Sequence, residues 1–176
     1  MADKKIIVHM IGSAHIDPVW LWRKPAGVIE VLSTCRSAAD LLDQHSEFVF
    51  CRSDVWVYEI IEKYDPELFE RIQFHFKEGR WHTPGGMYIQ PDCNIPSAPA
   101  FKKHLELGQD YFTRKFGEKI DVGYNVDSFG HSASIPEIFN EYGFKSYVMM
   151  RPQEQEMSLK SNLFRWDGNG RAELTT

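Results

Sequence analysis

The stretch Ile6-Ile7-Val8-His9-Met10-Ile11 opens the chain and leads into Ala14-His15-Ile16-Asp17-Pro18-Val19-Trp20. The apolar run predicts a buried first β-strand, and Pro18 cannot extend its hydrogen-bonded ladder. His15 and Asp17 are two residues apart, so their side chains share one face of an extended backbone. An imidazole and a carboxylate that project together from the end of a strand predict half of a metal site.

Strand and helix patterns alternate along the rest of the chain. Strands are predicted over residues 5–12, 47–51, 79–83, 120–126, 145–150 and 162–166. Helices are predicted over residues 26–45, 54–77 with a division at Pro66, 97–116 and 134–142. Repeated β-α units predict an α/β fold with a mainly parallel sheet or barrel. Such a barrel needs at least about 200 residues, so we expect residues 1–176 to form part of one.

Composition and charge narrow the classes of function. The 176 residues carry a net charge of -5 and their basic residues are scattered, which argues against nucleic acid as a partner. The N-terminal apolar run is too short for a signal sequence or a membrane span. Cys35, Cys51 and Cys93 are odd in number and form no C-x-x-C pattern. We therefore expect a cytoplasmic protein without a disulfide framework and without a membrane partner.

A second group of polar residues follows the predicted strand 120–126. It reads Asn125-Val126-Asp127-Ser128-Phe129-Gly130-His131-Ser132, and α/β folds place their active residues at this end of a strand. Asp127 could complete a metal cluster with His15 and Asp17, or it could simply cap the following helix. Three ligands with an open position describe a catalytic metal site, and one histidine with carboxylates suits zinc or another divalent ion.

Two further candidate features lie at the same end of the predicted sheet. The loop Gly85-Gly86-Met87-Tyr88-Ile89-Gln90-Pro91-Asp92-Cys93-Asn94 offers paired glycines for close approach to a ligand, and Asp92 for hydroxyl groups. Arg151 closes the strand predicted over 145–150. The ordinary alternatives are a simple turn for the glycines, a solvated Arg151, and core packing for Trp20 and Phe129.

Together these motifs resemble the glycoside hydrolase family 38 α-mannosidases. The opening motif H-x-D-P-x-W is read from His15 to Trp20, and the nucleophile motif D-x-F-G-H-S from Asp127 to Ser132. A G-G-x-x-x-x-P-D loop lies between them, and an arginine, Arg151, comes after them. The motifs come in the same order as in the family, and the resemblance covers almost the whole chain. The motif sequences most resemble those of the bacterial cytoplasmic branch.

The resemblance implies a seven-stranded parallel (β/α) barrel with zinc at its mouth, held by His15, Asp17 and Asp127. Asp127 would also be the nucleophile of a retaining hydrolysis of α-linked mannosides, through a covalent mannosyl-enzyme. Trp20 and Phe129 would pack against the mannose ring. Asp92 and Arg151 would lie near the hydroxyl groups of the substrate.

Two functional residues implied by the resemblance have no match here: a second zinc histidine and an aspartate that acts as general acid. Asp167, in Trp166-Asp167-Gly168-Asn169-Gly170, is typical of a tight turn instead. We therefore expect an N-terminal portion of a family 38 catalytic domain with little activity alone. The helical and β-rich domains that follow the barrel in the family are likewise not matched, and an open half-barrel would favour homo-oligomers through its exposed edges.

Two alternative functions remain open from the residues. A metal-dependent deacetylase or amidohydrolase on a similar barrel would use a metal-bound water and no covalent intermediate. A carbohydrate-binding fragment would bind zinc and mannose without turnover.

Overall fold

Seven short strands and five helices make up the part of the chain that the computed structural model describes, which is residues 6–168, 170 and 172–176. The strands are β1 Gly12–Ser13, β2 Phe50–Cys51, β3 Trp81–His82, β4 Val122–Asn125, β5 Ser146–Met149, β6 Arg165–Gly168 and β7 Ala172–Thr175. The helices are α1 Lys24–Gln44, α2 Val55–Tyr64, α3 Pro66–Lys77, α4 Ala98–Phe116 and α5 Ile135–Glu141.

The strands form two sheets, and the predicted parallel seven-stranded barrel is wrong. In the first sheet β1, β2 and β3 are all parallel, whereas the second has the order β4-β5-β7-β6. In the second sheet β4, β5 and β7 are parallel, but β6 and β7 form an antiparallel hairpin. A connection this short cannot hold the crossover helix that a parallel pair requires. The α/β class is correct, and the architecture is two sheets, one parallel and one mixed.

The first predicted strand is also wrong over most of its length. Only Gly12 and Ser13 pair with the neighbouring strand, at Phe50 and Cys51. The apolar side chains before them are largely exposed, at 88% for Ile6 and 60% for Ile11. Because β2 is two residues long, it offers residues 6–11 no ladder partner, and the segment runs on without regular structure.

The predicted helices are confirmed to within a few residues at each end. Pro66 is the first residue of α3, and the Asp65 side chain accepts a hydrogen bond from the Leu68 amide at 3.1 Å, as expected of a cap. Helix α4 ends at Gly117, which has a φ of +73°. Asp54 directly precedes α2, where a capping residue is expected, but its side chain makes no capping hydrogen bond to the helix.

An aromatic core under α2, α3 and α4 holds the first sheet in place. Trp81 and Tyr58 are fully buried, and Trp81 Nε1 donates to Tyr58 Oη at 2.9 Å. Tyr58 Oη in turn donates to the Arg52 carbonyl at 2.5 Å. This chain of contacts fixes the backbone just after β2, at the end of the sheet where the candidate site lies.

Two further findings concern the helices and the cysteines. Among the described residues, each helix is too short or too polar to span a bilayer. Cys35, Cys51 and Cys93 all carry free thiols.

Candidate metal centre

The ends of β1 and β4 bring together the three predicted metal ligands, although the two strands belong to different sheets. His15 Nε2 lies 3.3 Å from Asp17 Oδ1 and 3.8 Å from Asp127 Oδ2. One ligand atom from each residue lies within 4.8 Å of the others. The side chains are 30%, 37% and 31% exposed, so solvent and a ligand can reach them.

The donor set and its spacing fit a divalent ion such as zinc. Ligands about 2.1 Å from zinc in a tetrahedron lie about 3.4 Å from one another. The spacings from His15 to the two carboxylates, 3.3 and 3.8 Å, bracket that value. One imidazole nitrogen and two carboxylate oxygens also leave a coordination position open, which is typical of catalytic sites.

Asp127 uses its second oxygen for a separate contact. Arg151 Nε donates to Asp127 Oδ1 at 2.8 Å, and the Arg151 guanidinium lies 4.4 Å from the centre of the Phe129 ring. Its Nη1 also lies 3.7 Å from Glu156 Oε1. The arginine therefore fixes the rotation of the Asp127 carboxylate, so that Oδ2 faces His15.

His131 supports Arg151 from the other side. Its Nε2 donates to the Arg151 carbonyl at 2.9 Å, which leaves Nδ1 to accept from Tyr147 Oη at 3.0 Å. Both contacts suit the neutral imidazole. Burial lowers the pKa of His131, and the bond to the Arg151 carbonyl offsets this only in part. His131 is thus a structural support for the end of β5.

The two aromatic residues predicted for substrate binding are exposed. Trp20 is 64% exposed and Phe129 is 74% exposed, so neither is a core residue. Trp20 meets Trp22 edge to face at 5.3 Å, and Trp22 Nε1 donates to the Asp17 carbonyl at 3.2 Å. The aromatic surface around Trp20 is therefore tied to the backbone of a predicted metal ligand.

The loop over residues 84–96 reaches the same end of β4, but Asp92 is occupied locally. Asp92 Oδ1 accepts from the amides of Asn94 and Ile95 at 2.8 and 2.9 Å, and these bonds lower its pKa. Asn125 Nδ2 donates to the Pro91 carbonyl at 2.9 Å and holds the loop against the strand. These contacts of Asp92 close a turn within the loop and do not join the metal cluster.

The paired glycines approach a helix. Gly85 and Gly86 have φ values of +102° and +60°, which favour glycine. A Cβ on Gly108 in α4 would lie 2.1 Å from the Gly86 carbonyl oxygen. The glycines therefore let the loop pack directly on α4.

Three polar residues next to the cluster were not predicted from sequence. Arg52 is 1% exposed and Asp54 is 5% exposed, and Gln90 contacts Asp54 from the loop. Their only sequence signal is position: Arg52 and Asp54 follow an apolar strand directly, where buried charged residues are unusual.

A cavity of about 400 Å³ lies beside Arg151 and Phe129. His131, Met149 and Trp166 also line it. Its position next to Asp127 leaves room for a further part of a ligand bound at the cluster.

Comparison with known proteins places these features in a family. A family model described as "Glycosyl hydrolases family 38 N-terminal domain" matches residues 5–176. Alpha-mannosidase 2C1 of Mus musculus is 28% identical over 92% of this chain and 16% of its own length. Alpha-mannosidase G of Dictyostelium discoideum is 27% identical over 99% of this chain and 16% of its own length.

A solved structure shares the fold. The crystal structure of an alpha-mannosidase from Enterococcus faecalis V583 matches with a TM-score of 0.82 at 18% identity, over 94% of this chain and 19% of that one. The chain thus spans 16% of the length of the curated relatives cited above. Because this family model covers nearly all of its residues, the chain belongs to glycosyl hydrolase family 38 and matches the N-terminal domain of that family.

Proposed function

We propose that the chain forms the zinc-binding and nucleophile-bearing part of the active site of a retaining α-mannosidase. The single observation that carries this proposal is the cluster of His15, Asp17 and Asp127. In this cluster Arg151 donates to Oδ1 of Asp127, the oxygen that does not face His15. The names of the curated relatives support α-linked mannosides as the substrate. Family membership favours a glycosidase over a metal-dependent deacetylase.

His15, Asp17 and Asp127 would hold the zinc ion. The bound ion would supply Lewis-acid contacts to hydroxyl groups of the sugar and so favour a ring distorted toward the oxocarbenium-like transition state. Trp20 and Phe129, both exposed near the cluster, would contact the apolar face of the mannose ring. Arg151 and Asp92 would face its hydroxyl groups. Asp92 would use Oδ2, because Oδ1 accepts the two amide hydrogen bonds of its turn.

Asp127 would act as the nucleophile. One of its oxygens forms a bond to the anomeric carbon, while the bond from that carbon to the leaving group breaks and the leaving group departs with the electron pair. Water then attacks the same carbon and the bond from that carbon to Asp127 breaks, which releases mannose and restores the Asp127 carboxylate. The proton that the water loses balances the charge of the leaving group that departed in the first step. Arg151 would keep the carboxylate oriented through its charge-assisted hydrogen bond.

A fluorinated mannosyl fluoride tests the nucleophile directly. Because fluoride leaves without being protonated, the reaction does not depend on a general acid. We expect one glycosyl adduct per zinc-loaded chain, located by mass spectrometry on a peptide that contains Asp127. Asp127→Asn should abolish the adduct, while Asp121→Asn, which removes an exposed carboxylate paired with Lys145, should retain it. Failure to form an adduct, or an adduct elsewhere, would overturn the proposal.

Turnover of natural glycosides is expected to be low for this chain by itself. The resemblance implies a second zinc histidine and a general acid aspartate, and no motif in the chain matches either. Asp167 Oδ1 accepts from the Gly170 amide at 2.7 Å and closes the β6–β7 turn. Appreciable release of mannose from an aryl α-mannoside by the zinc-loaded chain would contradict this part of the proposal.

The free thiols are compatible with the cytoplasm, which cell fractionation would test.

A further inference from the structure

We propose that Gln90 is a positioning residue that holds the two halves of the candidate site together. His15 and Asp17 follow β1 in one sheet, and Asp127 follows β4 in the other. The identity of the ion at the cluster rests on the proposed function, but the bridging role of Gln90 rests on its own contacts.

Gln90 bonds to both sides of the division between the sheets. Its Oε1 accepts from the Val126 amide at 3.0 Å, one residue before Asp127. Its Nε2 donates to Ser53 Oγ at 2.8 Å and to Asp54 Oδ2 at 3.3 Å, just after β2. A single amide side chain thus uses its acceptor on the second sheet and its donors on the first.

A buried ion pair continues the path from Asp54 to His15. Arg52 Nη2 lies 3.5 Å from Asp54 Oδ2, and Arg52 Nη1 donates to the Ala14 carbonyl at 2.7 Å. Ala14 directly precedes His15. Because both charged side chains are almost fully buried, their contact is poorly screened and keeps a definite geometry.

The backbone of Asp54 supports this interpretation. Asp54 has a φ of +77°, an unusual conformation for a residue other than glycine. Its side chain makes no capping bond to α2 and contacts Arg52 and Gln90 instead. Asp54 thus keeps a strained backbone conformation while its side chain joins Arg52 to Gln90. This combination indicates that the two side-chain contacts offset the strain.

The other cross-sheet hydrogen bonds that we identify lie farther from Asp127 along the chain. The Gly85 amide donates to the Val122 carbonyl at 2.7 Å, and Ser13 Oγ contacts Tyr124 Oη at 2.8 Å. Both reach β4 before its last residue, and Asn125, the last residue itself, donates from Nδ2 to the Pro91 carbonyl at 2.9 Å. Among the described residues, the Gln90 contact is the nearest of these to Asp127 along the chain, because it holds the amide of the residue directly before Asp127.

The test compares Gln90→Met with Gln109→Met. Gln109 is a second inward-facing glutamine with a donor and an acceptor bond to backbone, both to Ile120, away from the cluster. Zinc affinity is measured by calorimetry, and the geometry of the site by the visible absorption of bound Co²⁺. Q90M should weaken zinc binding by about 10–100-fold, as changes around metal ligands do, and should alter the Co²⁺ spectrum. Q109M should leave both unchanged.

Hydrogen–deuterium exchange without metal gives a second readout. Q90M should speed exchange over residues 14–17 and 126–128 together, while Q109M should speed it near residue 120. Gln90→Glu, which keeps the acceptor for Val126 but places a carboxylate beside Asp54, is the second variant if Q90M does not fold. It should weaken zinc binding as well.

The outcomes separate this inference from the proposed function. If the wild-type chain binds no zinc, the zinc proposal fails and exchange alone decides the role of Gln90. If zinc binding, the Co²⁺ spectrum and exchange at both segments are the same in wild type, Q90M and Q90E, the positioning role is wrong.

Discussion

Arg151 and Asp127 form a charge-assisted hydrogen bond, with Nε 2.8 Å from Oδ1. The other oxygen, Oδ2, lies 3.8 Å from His15 Nε2. The two oxygens of one carboxylate therefore have separate partners, one cationic side chain and one candidate metal ligand. This division orients the carboxylate before any ligand binds, and it makes the arginine the first residue to test.

Replacing Arg151 by lysine should slow formation of the Asp127 adduct by at least about tenfold. Lysine keeps the charge but loses the planar contact with Phe129 and the fixed geometry of the guanidinium. The rate of adduct formation with the mannosyl fluoride, followed by intact mass, checks this. Arg165→Lys is the control, because Arg165 is exposed and paired with Glu173 at 3.3 Å. Equal rates for R151K and wild type would contradict the assigned role.

Replacing Asp17 by alanine should weaken zinc binding by at least about 100-fold. Even the residues that hydrogen-bond to metal ligands lower metal affinity by about 10–100-fold when they are replaced. Calorimetry against a zinc buffer measures the change. Asp110→Ala removes an exposed carboxylate paired with Arg114 on α4 and should leave the affinity unchanged. Similar losses for both variants would mean that zinc binds the acidic surface generally.

Replacing Trp20 by alanine should weaken mannose binding to the zinc-loaded chain by about tenfold, or about 1.4 kcal/mol, a reasonable value for an aromatic ring contact. Leu21, 83% exposed and next in sequence, provides the control L21A. Titration with methyl α-mannoside, followed by calorimetry or tryptophan fluorescence, checks this. Unchanged affinity in W20A would exclude Trp20 as a sugar platform.

Stability without metal should fall as the pH drops below about 6.5, the usual pKa of histidine. Burial lowers the pKa of His131, which faces Tyr147, Trp166 and Arg151. Its neutral form is favoured in the folded chain, so the unfolded chain takes up the proton first as the pH falls. That protonation stabilises the unfolded chain relative to the folded one. The loss continues until the pH reaches the lowered pKa of the folded state.

Urea unfolding between pH 7.5 and 5.5, in the presence of a chelator, measures this slope. His131→Gln cannot titrate and should flatten it in part. The remainder is expected from His75 and His104, whose pKa values burial also lowers. A slope that H131Q leaves unchanged would contradict the prediction.

Replacing Gly108 by alanine should destabilise the fold by about 1–3 kcal/mol, although alanine is the better helix former. The added Cβ would lie 2.1 Å from the Gly86 carbonyl oxygen and force the loop away from α4. Gly79→Ala is the control: its φ is +69° but the added Cβ meets no atom within 4 Å. It should cost about 1 kcal/mol, from the backbone alone. A stabilised G108A would mean that the contact is not tight.

The helices could be predicted because each carries its own signal. Apolar residues recur along α1 and α4, Pro66 divides α2 from α3, and Gly117 ends α4. The strands could be placed but their lengths could not: β2, β3, β4 and β5 lie within the predicted ranges, whereas a two-residue ladder such as β1 depends on the length of its partner. The sequence predicts no strand at β7, whose antiparallel pairing with β6 is not encoded in the composition of the strand.

The grouping of the three candidate ligands could be predicted, and the contacts that support them could not. His15, Asp17 and Asp127 stand at strand ends, and parallel strands carry their ends to a common edge even across two sheets. The bridge through Arg52 and Gln90 is made of contacts between distant residues, and no local pattern encodes it.

The division of the cluster between two sheets also has a consequence for folding. Residues 12–82 can bring the first sheet and its three helices together through nearby contacts, while β4, α5 and β5 form a second local unit. A chain that has formed either unit alone has no cluster, because His15 and Asp127 meet only after the units dock. Ion binding during refolding would thus report the docking step itself, separately from the formation of helices.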